Sequence, residues 1–151
     1  LLALSRQNLP HQPRAADQLQ AIARGGYVLA DAQALALVII ATGSEVALAM
    51  AAREALAAEG VGVRVVSMPC TAVFDRQPTD YRRSVLPPSV PRLVIEAARS
   101  DGWWRYLAGV RGTVVGMDGF GESAPAAALL QRYGFHTEAV LAQARSLLQP
   151  D

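Results

Sequence analysis

The 151-residue chain contains no lysine, since all 14 of its basic residues are arginine. A lysine Schiff base, a P-loop lysine and a lysine general base are therefore excluded. Cys70 is the only cysteine and there are two histidines, so an internal disulfide is impossible and a thiolate-based metal site is disfavoured. Long hydrophobic runs are also missing, because the longest, residues 34–41, is far shorter than the roughly 18 apolar residues of a membrane span.

An excess of charge is absent as well. The net charge is +1, and the arginines are nowhere denser than the pair Arg82-Arg83. A protein that follows a nucleic-acid backbone needs a stripe of positive charge, so we predict no nucleic-acid partner and, without a spanning segment, no membrane partner. A single thiol and the lack of a signal-like apolar segment predict a reducing, cytoplasmic location.

The sequence does contain short apolar runs that alternate with helical stretches. Four runs predict strands, at residues 35–41, 61–68, 93–97 and 113–117. The first is apolar at every position, which is typical of a strand covered by helices on both faces. Residues 27–29 predict a short edge strand. The pattern predicts an α/β fold, a Rossmann-like three-layer α/β/α sandwich of about five mostly parallel strands with one antiparallel edge strand.

Capping and helix-breaking residues mark the predicted helices. Ser44 is predicted to cap the helix after the first run, and Gly60 to end that helix. Pro87 ends a short helix because proline cannot continue one, and Pro125 is placed in the first turn of another. Beyond the first helix, the predicted helical stretches are residues 80–86, a short helix carrying residues 103–107, residues 125–133 and residues 137–148.

Two glycine-containing loops follow strands, the place where open α/β sheets commonly bind phosphates. Neither loop, residues 42–45 or residues 119–125, contains a dinucleotide-binding fingerprint or a Walker motif. Helix capping is favoured for the first loop. A tight turn or a contact surface for another chain is favoured for the second, and a ligand role stays open for both.

The sequence indicates no serine or cysteine nucleophile. The G-x-S-x-G elbow is absent, and His136 is interpreted as a residue at a helix boundary rather than a base. Cys70 has no neighbouring base or helix start that would activate its thiol.

Three other side chains are unusual for their positions. Glu96 ends an apolar strand, where a carboxylate needs a partner or water; hydrogen bonds to loop amides are favoured and a place in an interface is the alternative. The pair Trp103 and Trp104 predicts one buried ring and one ring facing a partner chain. From the composition of the chain alone, Arg6 is predicted to be an ordinary surface arginine.

The order and spacing of several motifs resemble the C-terminal part of bacterial-type transketolases over nearly the whole chain. The matching segments are residues 3–10, 25–29, 40–46, 65–69, 81–87, 116–125 and 133–135. The resemblance implies that residues 1–24 are a leader from the end of the preceding pyrimidine-binding domain and its linker, and that residues 25–151 are a transketolase C-terminal domain. The chain is thus expected to be part of a longer protein.

The resemblance also implies what the longer protein does. Transketolases transfer a two-carbon ketol unit between sugar phosphates, act as homodimers, and use thiamine diphosphate with a divalent cation, Mg or Ca. Their catalytic, cofactor-binding and metal-binding residues belong to the first two domains, and this chain lacks a Gly-Asp-Gly motif. The isolated chain is therefore expected to bind no cofactor and to be inactive, serving to pack on the pyrimidine-binding domain and to extend the dimer contact through Trp103 and residues 119–125.

One functional residue carries over from the family. Arg6, in Ser5-Arg6-Gln7, matches the arginine that contacts the substrate's phosphate, a task that suits a bidentate guanidinium. Two alternatives stay open: a small-molecule or nucleotide regulatory module built on the loops at Gly43 and Gly119, and a partner-docking domain of a related thiamine-diphosphate enzyme.

Overall fold

The computed structural model describes residues 8–149, apart from the side chain of Ala127. Within this part of the chain, five strands form one sheet in the order β1-β3-β2-β4-β5. The strands are β1 (Tyr27–Ala30), β2 (Leu35–Ala41), β3 (Gly62–Ser67), β4 (Arg92–Ile95) and β5 (Gly112–Val115). Strands β2 to β5 are mutually parallel, and β1 is antiparallel to β3 at one edge. The predicted strand count and the antiparallel edge strand are confirmed.

Strand β2 lies at the centre of the sheet because both of its faces are apolar. Successive side chains of a strand point to opposite faces, so a run without polar residues supplies two layers at once. Leu37, Ile39 and Ala41 belong to one core, Val38 and Ile40 belong to the other, and all five are fully buried.

Helices cover both faces of the sheet. Those described are α1 (Ala16–Ala21), α2 (Glu45–Ala58), α3 (Thr71–Asp75), α4 (Thr79–Val85), α5 (Ala126–Arg132) and α6 (Thr137–Leu148), with 3-10 helices at Ile22–Arg24, Ser100–Gly102 and Trp104–Leu107. Residues of α2 and α6 pack on one face, and residues of α3, α4 and the last 3-10 helix pack on the other. The predicted three-layer α/β/α architecture is confirmed.

The start of α2 differs from its prediction. Ser44 occupies the N-cap position but has a helical backbone (φ −65°, ψ −30°) and makes no side-chain cap hydrogen bond. A capping serine needs an extended backbone to bring its hydroxyl under the first free amides. The Ser44 hydroxyl instead donates to Oε1 of Glu45 at 2.7 Å. The predicted end of the helix is confirmed, because Gly60 follows it with a left-handed φ of +80°.

Two other helical segments also differ in detail. The short helix predicted over residues 103–107 is replaced by two 3-10 helices, the second being Trp104–Leu107. Pro125 lies one residue before α5 rather than in its first turn, because its ψ of 137° is extended.

The described part of the leader is tied to the edge strand. The side-chain amide of Gln18 donates to the carbonyls of Val28 (3.0 Å) and Leu29 (2.8 Å). Arg14 Nε donates to the hydroxyl of Tyr27 at 2.6 Å. The domain limits at residues 1–24 and 25–151 stay a prediction.

Candidate functional site

The carboxyl ends of the four parallel strands meet at one edge of the sheet, here called the carboxyl edge. Strand β2 connects to β3 on one side, and the connection from β3 to β4 crosses to the other side of β2. The crevice between β2 and β4 is therefore the switch point where open α/β sheets usually bind ligands. Three segments surround it: residues 42–45, 96–100 and 116–125.

Two glutamates occupy this switch point. Glu45 begins α2 and is 7% exposed, and Glu96 directly follows β4. Among residues 8–149, the buried Oε2 of Glu96 has no hydrogen-bond partner. Burial, with a smaller contribution from the negative charge of Glu45, raises the pKa of Glu96 to about 7.

The prediction that Glu96 hydrogen bonds to loop amides is wrong at this oxygen. The nearby amide of Ala98 donates instead to the main-chain carbonyl of Glu96 at 2.8 Å, and the amide of Met117 donates to the carbonyl of Ala98 at 2.8 Å. The backbone turn therefore uses the donors that the carboxyl group would need.

This pair of carboxyl groups does not suit a diphosphate. Negative side chains repel phosphate, and Glu45 already occupies the positive end of α2. In the part of the chain that the structure describes, no group of three or more His, Cys, Asp or Glu residues could hold a metal ion. The two carboxyl groups at the switch point therefore do not suit the diphosphate of thiamine diphosphate.

The third segment of the carboxyl edge is anchored by Asp118. Its Oδ1 accepts hydrogen bonds from the hydroxyl (2.7 Å) and the amide (3.0 Å) of Ser100, and these bonds lower the pKa of Asp118. The indole nitrogen of Trp104 donates to the Ser100 hydroxyl at 3.2 Å. The chain of hydrogen bonds thus fixes Trp104 next to the start of the loop at residues 119–125.

This arrangement leaves two large apolar side chains exposed. Trp104 is 50% exposed and Phe120 is 99% exposed, and together they are called the aromatic edge below. Tyr133 donates to the carbonyl of Phe120 at 3.2 Å, so the loop that presents this ring is held to the end of α5. An alanine Cβ at Gly119 would meet no atom within 4 Å, so this glycine is not required by a close approach.

One tryptophan is buried and the other is exposed, as predicted, and the contact of the exposed ring with a partner chain stays a prediction. Trp103 is 8% exposed and packs with its ring 5.8 Å from that of Tyr106. The ring of Trp103 is therefore unavailable for the dimer contact assigned to its region, and Trp104 is the ring that can reach a partner.

The first glycine loop also borders the leader. Gly43, Ser67 and Tyr27 line a cavity of about 470 Å³ together with leader residues that include His11 and Arg14. Arg6, the predicted phosphate-binding residue, lies outside the described residues.

The sequence predicts no nucleophilic role for Cys70 and a helix-boundary position for His136. Cys70 is a free, exposed cysteine whose amide donates to the carbonyl of Gly25 at 2.9 Å. The prediction that no helix begins near Cys70 is wrong, because this residue occupies the N-cap position of the five-residue helix α3. Nδ1 of His136 accepts from the amide of Ala139 at 3.4 Å and caps α6, which confirms its role at a helix boundary.

A cluster of four arginines at the other end of the sheet was not predicted from the sequence. Arg92 begins β4, and three more arginines come from α4 and from the 3-10 helix Trp104–Leu107. The signal available in the sequence was an arginine directly before the apolar run at residues 93–97, with no acidic residue within three positions.

Comparison with known proteins places this fold and sequence in a well-defined group. A family model described as the transketolase-like TK C-terminal domain matches residues 25–136. Transketolase 1 of Vibrio cholerae is 54% identical over 149 residues, which is 97% of this chain and 22% of that protein. The chain thus spans about a fifth of the length of the curated relatives it matches.

Solved structures of transketolases are also similar to this chain. Transketolase from Leishmania mexicana superposes with a TM-score of 0.86 at 44% identity, covering 97% of this chain and 21% of that one. A structure described as a split gene transketolase, inactive beta4 tetramer, superposes with a TM-score of 0.70 at 25% identity and covers 95% of this chain and 48% of that one.

Proposed function

Because this chain belongs to the transketolase-like C-terminal domain family, we propose that it is the supporting, non-catalytic domain of an enzyme that transfers a two-carbon ketol unit between sugar phosphates. The observation that carries the proposal is the family match over residues 25–136 on a fold whose switch point holds two carboxyl groups. The enzyme's thiamine diphosphate and divalent cation, Mg or Ca, belong to the domains that precede this one, in a protein that works in the cytoplasm. When bound there, thiamine diphosphate supplies the carbanion chemistry of ketol transfer.

The proposal that the cofactor binds to other domains and not to this one can be tested by calorimetry. Thiamine diphosphate titrated with Mg²⁺ or Ca²⁺ into the 151-residue chain is expected to give no saturable heat that depends on the cation, since the carboxyl edge repels a diphosphate. The full-length enzyme, titrated in parallel, is the positive control. Stoichiometric binding that requires the divalent cation would overturn the proposed role.

Within the whole enzyme, we assign Arg6 to the phosphate of the sugar substrate. A guanidinium makes two parallel charge-assisted hydrogen bonds to a phosphate, whereas a lysine ammonium binds it as a point charge. The assignment rests on the Ser5-Arg6-Gln7 match to the family.

Replacing Arg6 by alanine in the full-length enzyme should raise KM for phosphorylated sugars about tenfold, equivalent to about 1.4 kcal/mol of lost binding. Steady-state kinetics with a phosphorylated and an unphosphorylated acceptor measure the effect. Arg6→Lys should lie between wild type and Arg6→Ala. An equal loss on both acceptors would contradict the phosphate role.

We further propose that the aromatic edge, Trp104 and Phe120, contacts the second subunit of a homodimer, with the preceding pyrimidine-binding domain packed on the same chain. Exposed aromatic rings at a rigid edge are typical of interface anchors. The hydrogen bonds from Trp104 to Ser100 and from Tyr133 to Phe120 hold both segments in place, which lowers the entropy cost of binding.

The double variant Trp104→Ser and Phe120→Ser should weaken subunit association of the full-length enzyme roughly tenfold. Sedimentation velocity across a concentration series provides the measurement. Leu19→Ser is the matched control, because Leu19 is 57% exposed but lies on α1, away from this edge. Unchanged association of the double variant would refute the contact.

A further inference from the structure

A cavity of about 560 Å³ opens on the face of the sheet covered by α3 and α4, near the start of β4 and β5. Four of its lining residues are arginines: Arg82, Arg83, Arg92 and Arg105. Among the residues that the structure describes, Asp75 is the one acidic residue in the lining, so the cavity walls carry four positive charges against one negative charge. The whole chain has a net charge of only +1, which makes this concentration of positive charge local to the cavity.

Arg92 has a buried charge without a counter-ion. It is 7% exposed, and its guanidinium donates to three neutral carbonyls: those of Leu86 (3.1 Å), Pro87 (2.8 Å) and Tyr106. Within residues 8–149, no carboxylate pairs with Arg92, and its Nε has no acceptor. Burial lowers the pKa of Arg92, which reflects the cost of keeping this charge away from water.

The second arginine, Arg82, likewise has a guanidinium donor without an acceptor. Its Nη2 lies 3.4 Å from Oγ1 of Thr79, a long hydrogen bond, and its Nε is buried without an acceptor among the described residues. Arg83, the next residue of α4, is exposed, lines the same cavity and forms no ion pair in residues 8–149.

The single acidic residue of the lining is already engaged. Oδ2 of Asp75 pairs with Arg105 at 3.1 Å, and its Oδ1 accepts from the hydroxyl of Tyr106 at 2.8 Å. Burial and Asp75 raise the pKa of Tyr106 to about 12, so this hydroxyl stays protonated and keeps donating. Asp75 and Arg105 neutralise each other, and three positive charges are left over.

The remaining lining gives the cavity an apolar side. Phe74 and Leu86 are buried core residues that reach its wall, and Pro88 completes the apolar part. A volume of about 560 Å³ falls within the range of small-molecule sites, which combine an apolar lining with a few placed polar groups. An occupant that matches both parts has a multiply charged anionic group joined to a small carbon skeleton.

We propose that this cavity binds a small organic phosphate, with Arg82, Arg83 and Arg92 holding the phosphate group. A phosphate monoester dianion compensates more of the three unpaired charges than a single carboxylate can, and it offers three acceptor oxygens to guanidinium donors. No residue used by the proposed function above belongs to this site, so each proposal can fail without the other. The binding would stabilise the folded chain through mass action.

The test uses ribose 5-phosphate, inorganic phosphate and ribose as probes, titrated by calorimetry into the 151-residue chain. Ribose 5-phosphate is expected to bind saturably, inorganic phosphate at least tenfold more weakly, and ribose not at all. Equal binding of ribose 5-phosphate and inorganic phosphate would restrict the site to the free anion and overturn the organic-phosphate assignment. No saturable binding of ribose 5-phosphate would overturn the site itself.

Variants identify the residues. Arg82→Gln and Arg83→Gln should each weaken binding of ribose 5-phosphate at least tenfold. Arg132→Gln is the matched control, because it removes the same charge from an exposed arginine that pairs with Glu122 outside the cavity. Circular dichroism checks folding, and Arg83→Gln carries the test if Arg82→Gln fails to fold, since Arg83 makes no described side-chain hydrogen bond. Equal affinity in wild type and Arg83→Gln, or an equal loss in Arg132→Gln, would overturn the proposal.

Discussion

Replacing Gly25 by alanine should lower the free energy of unfolding by about 4 kcal/mol, which is among the largest effects of a single substitution. Two costs add at this position. Gly25 has a left-handed φ of +81°, which an L-residue adopts at a cost of roughly 1–2 kcal/mol. An added Cβ would also lie 2.4 Å from the carbonyl oxygen of Cys70 and 2.6 Å from the amide nitrogen of Phe74.

The second cost arises because the obstructing atoms belong to the main chain. Rotating a side chain cannot relieve such a contact, so α3 would have to move away, and overpacking of this kind costs about 1–3 kcal/mol. The amide of Cys70 donates to the carbonyl of Gly25 at 2.9 Å, so the same movement would break the link between the leader side of β1 and the start of α3.

Gly60→Ala is the matched control for this prediction. Gly60 has nearly the same φ, +80°, but an added Cβ there meets no atom within 4 Å. It should therefore show the backbone cost alone, about 1 kcal/mol. Urea denaturation of both variants gives the comparison, and losses of equal size would contradict the steric argument.

Changing Glu96 to glutamine is the second large prediction, and its effect depends on pH. The pKa of Glu96 is about 7 in the folded chain, against an ordinary value of 4.5. The folded state therefore holds this proton more tightly than the unfolded state, and stability falls as pH rises from 4.5 to 7. The destabilisation caused by ionisation of the Glu96 carboxyl group is complete above pH 7 and absent below pH 4.5.

Glutamine cannot ionise, so the difference between the two proteins isolates the contribution of Glu96. The full shift corresponds to roughly 3 kcal/mol, and partial solvent access reduces the expected difference between pH 4.5 and 8 to about 2 kcal/mol. Urea denaturation at several pH values in this interval provides the measurement. A pH-independent difference between wild type and Glu96→Gln would contradict the prediction.

Two further variants sharpen this experiment. Glu45→Gln removes the smaller of the two causes that raise the pKa of Glu96. The pH dependence of the free energy of unfolding should therefore be weaker than in wild type but still present. Glu54→Gln changes an exposed glutamate on the outer side of α2 and should leave the pH dependence as it is in wild type.

Much of the fold could be predicted because its signals are local. The apolar run of β2, the left-handed Gly60 that ends α2 and the helical spacing of α6 each depend on neighbours in the chain. Where prediction failed, a polar group had more than one possible partner, and only the folded conformation decided between them. The Ser44 hydroxyl turns to Glu45 instead of capping α2, and the amides near Glu96 are taken by backbone carbonyls.

The same contrast holds for the candidate sites. A pair of adjacent tryptophans predicts one buried and one exposed ring. Only the tertiary structure shows that Trp104 is the exposed one. The arginine cavity was not predicted, because Arg82 and Arg92 come from different elements and are brought together only when α4 packs beside the start of β4.

The absence of lysine, of a second cysteine and of a long apolar run determined from the sequence alone which chemistries this chain cannot perform. Its motifs and alternating apolar runs likewise determined the family and the α/β class, since both depend on residue identity and short spacing. The tertiary structure decided the strand order β1-β3-β2-β4-β5, which sets Glu45 beside Glu96 and leaves three arginine charges uncompensated around one cavity. The physical reason is that proximity and desolvation arise from crossovers between distant segments, and side-chain charges acquire their energies only in those surroundings.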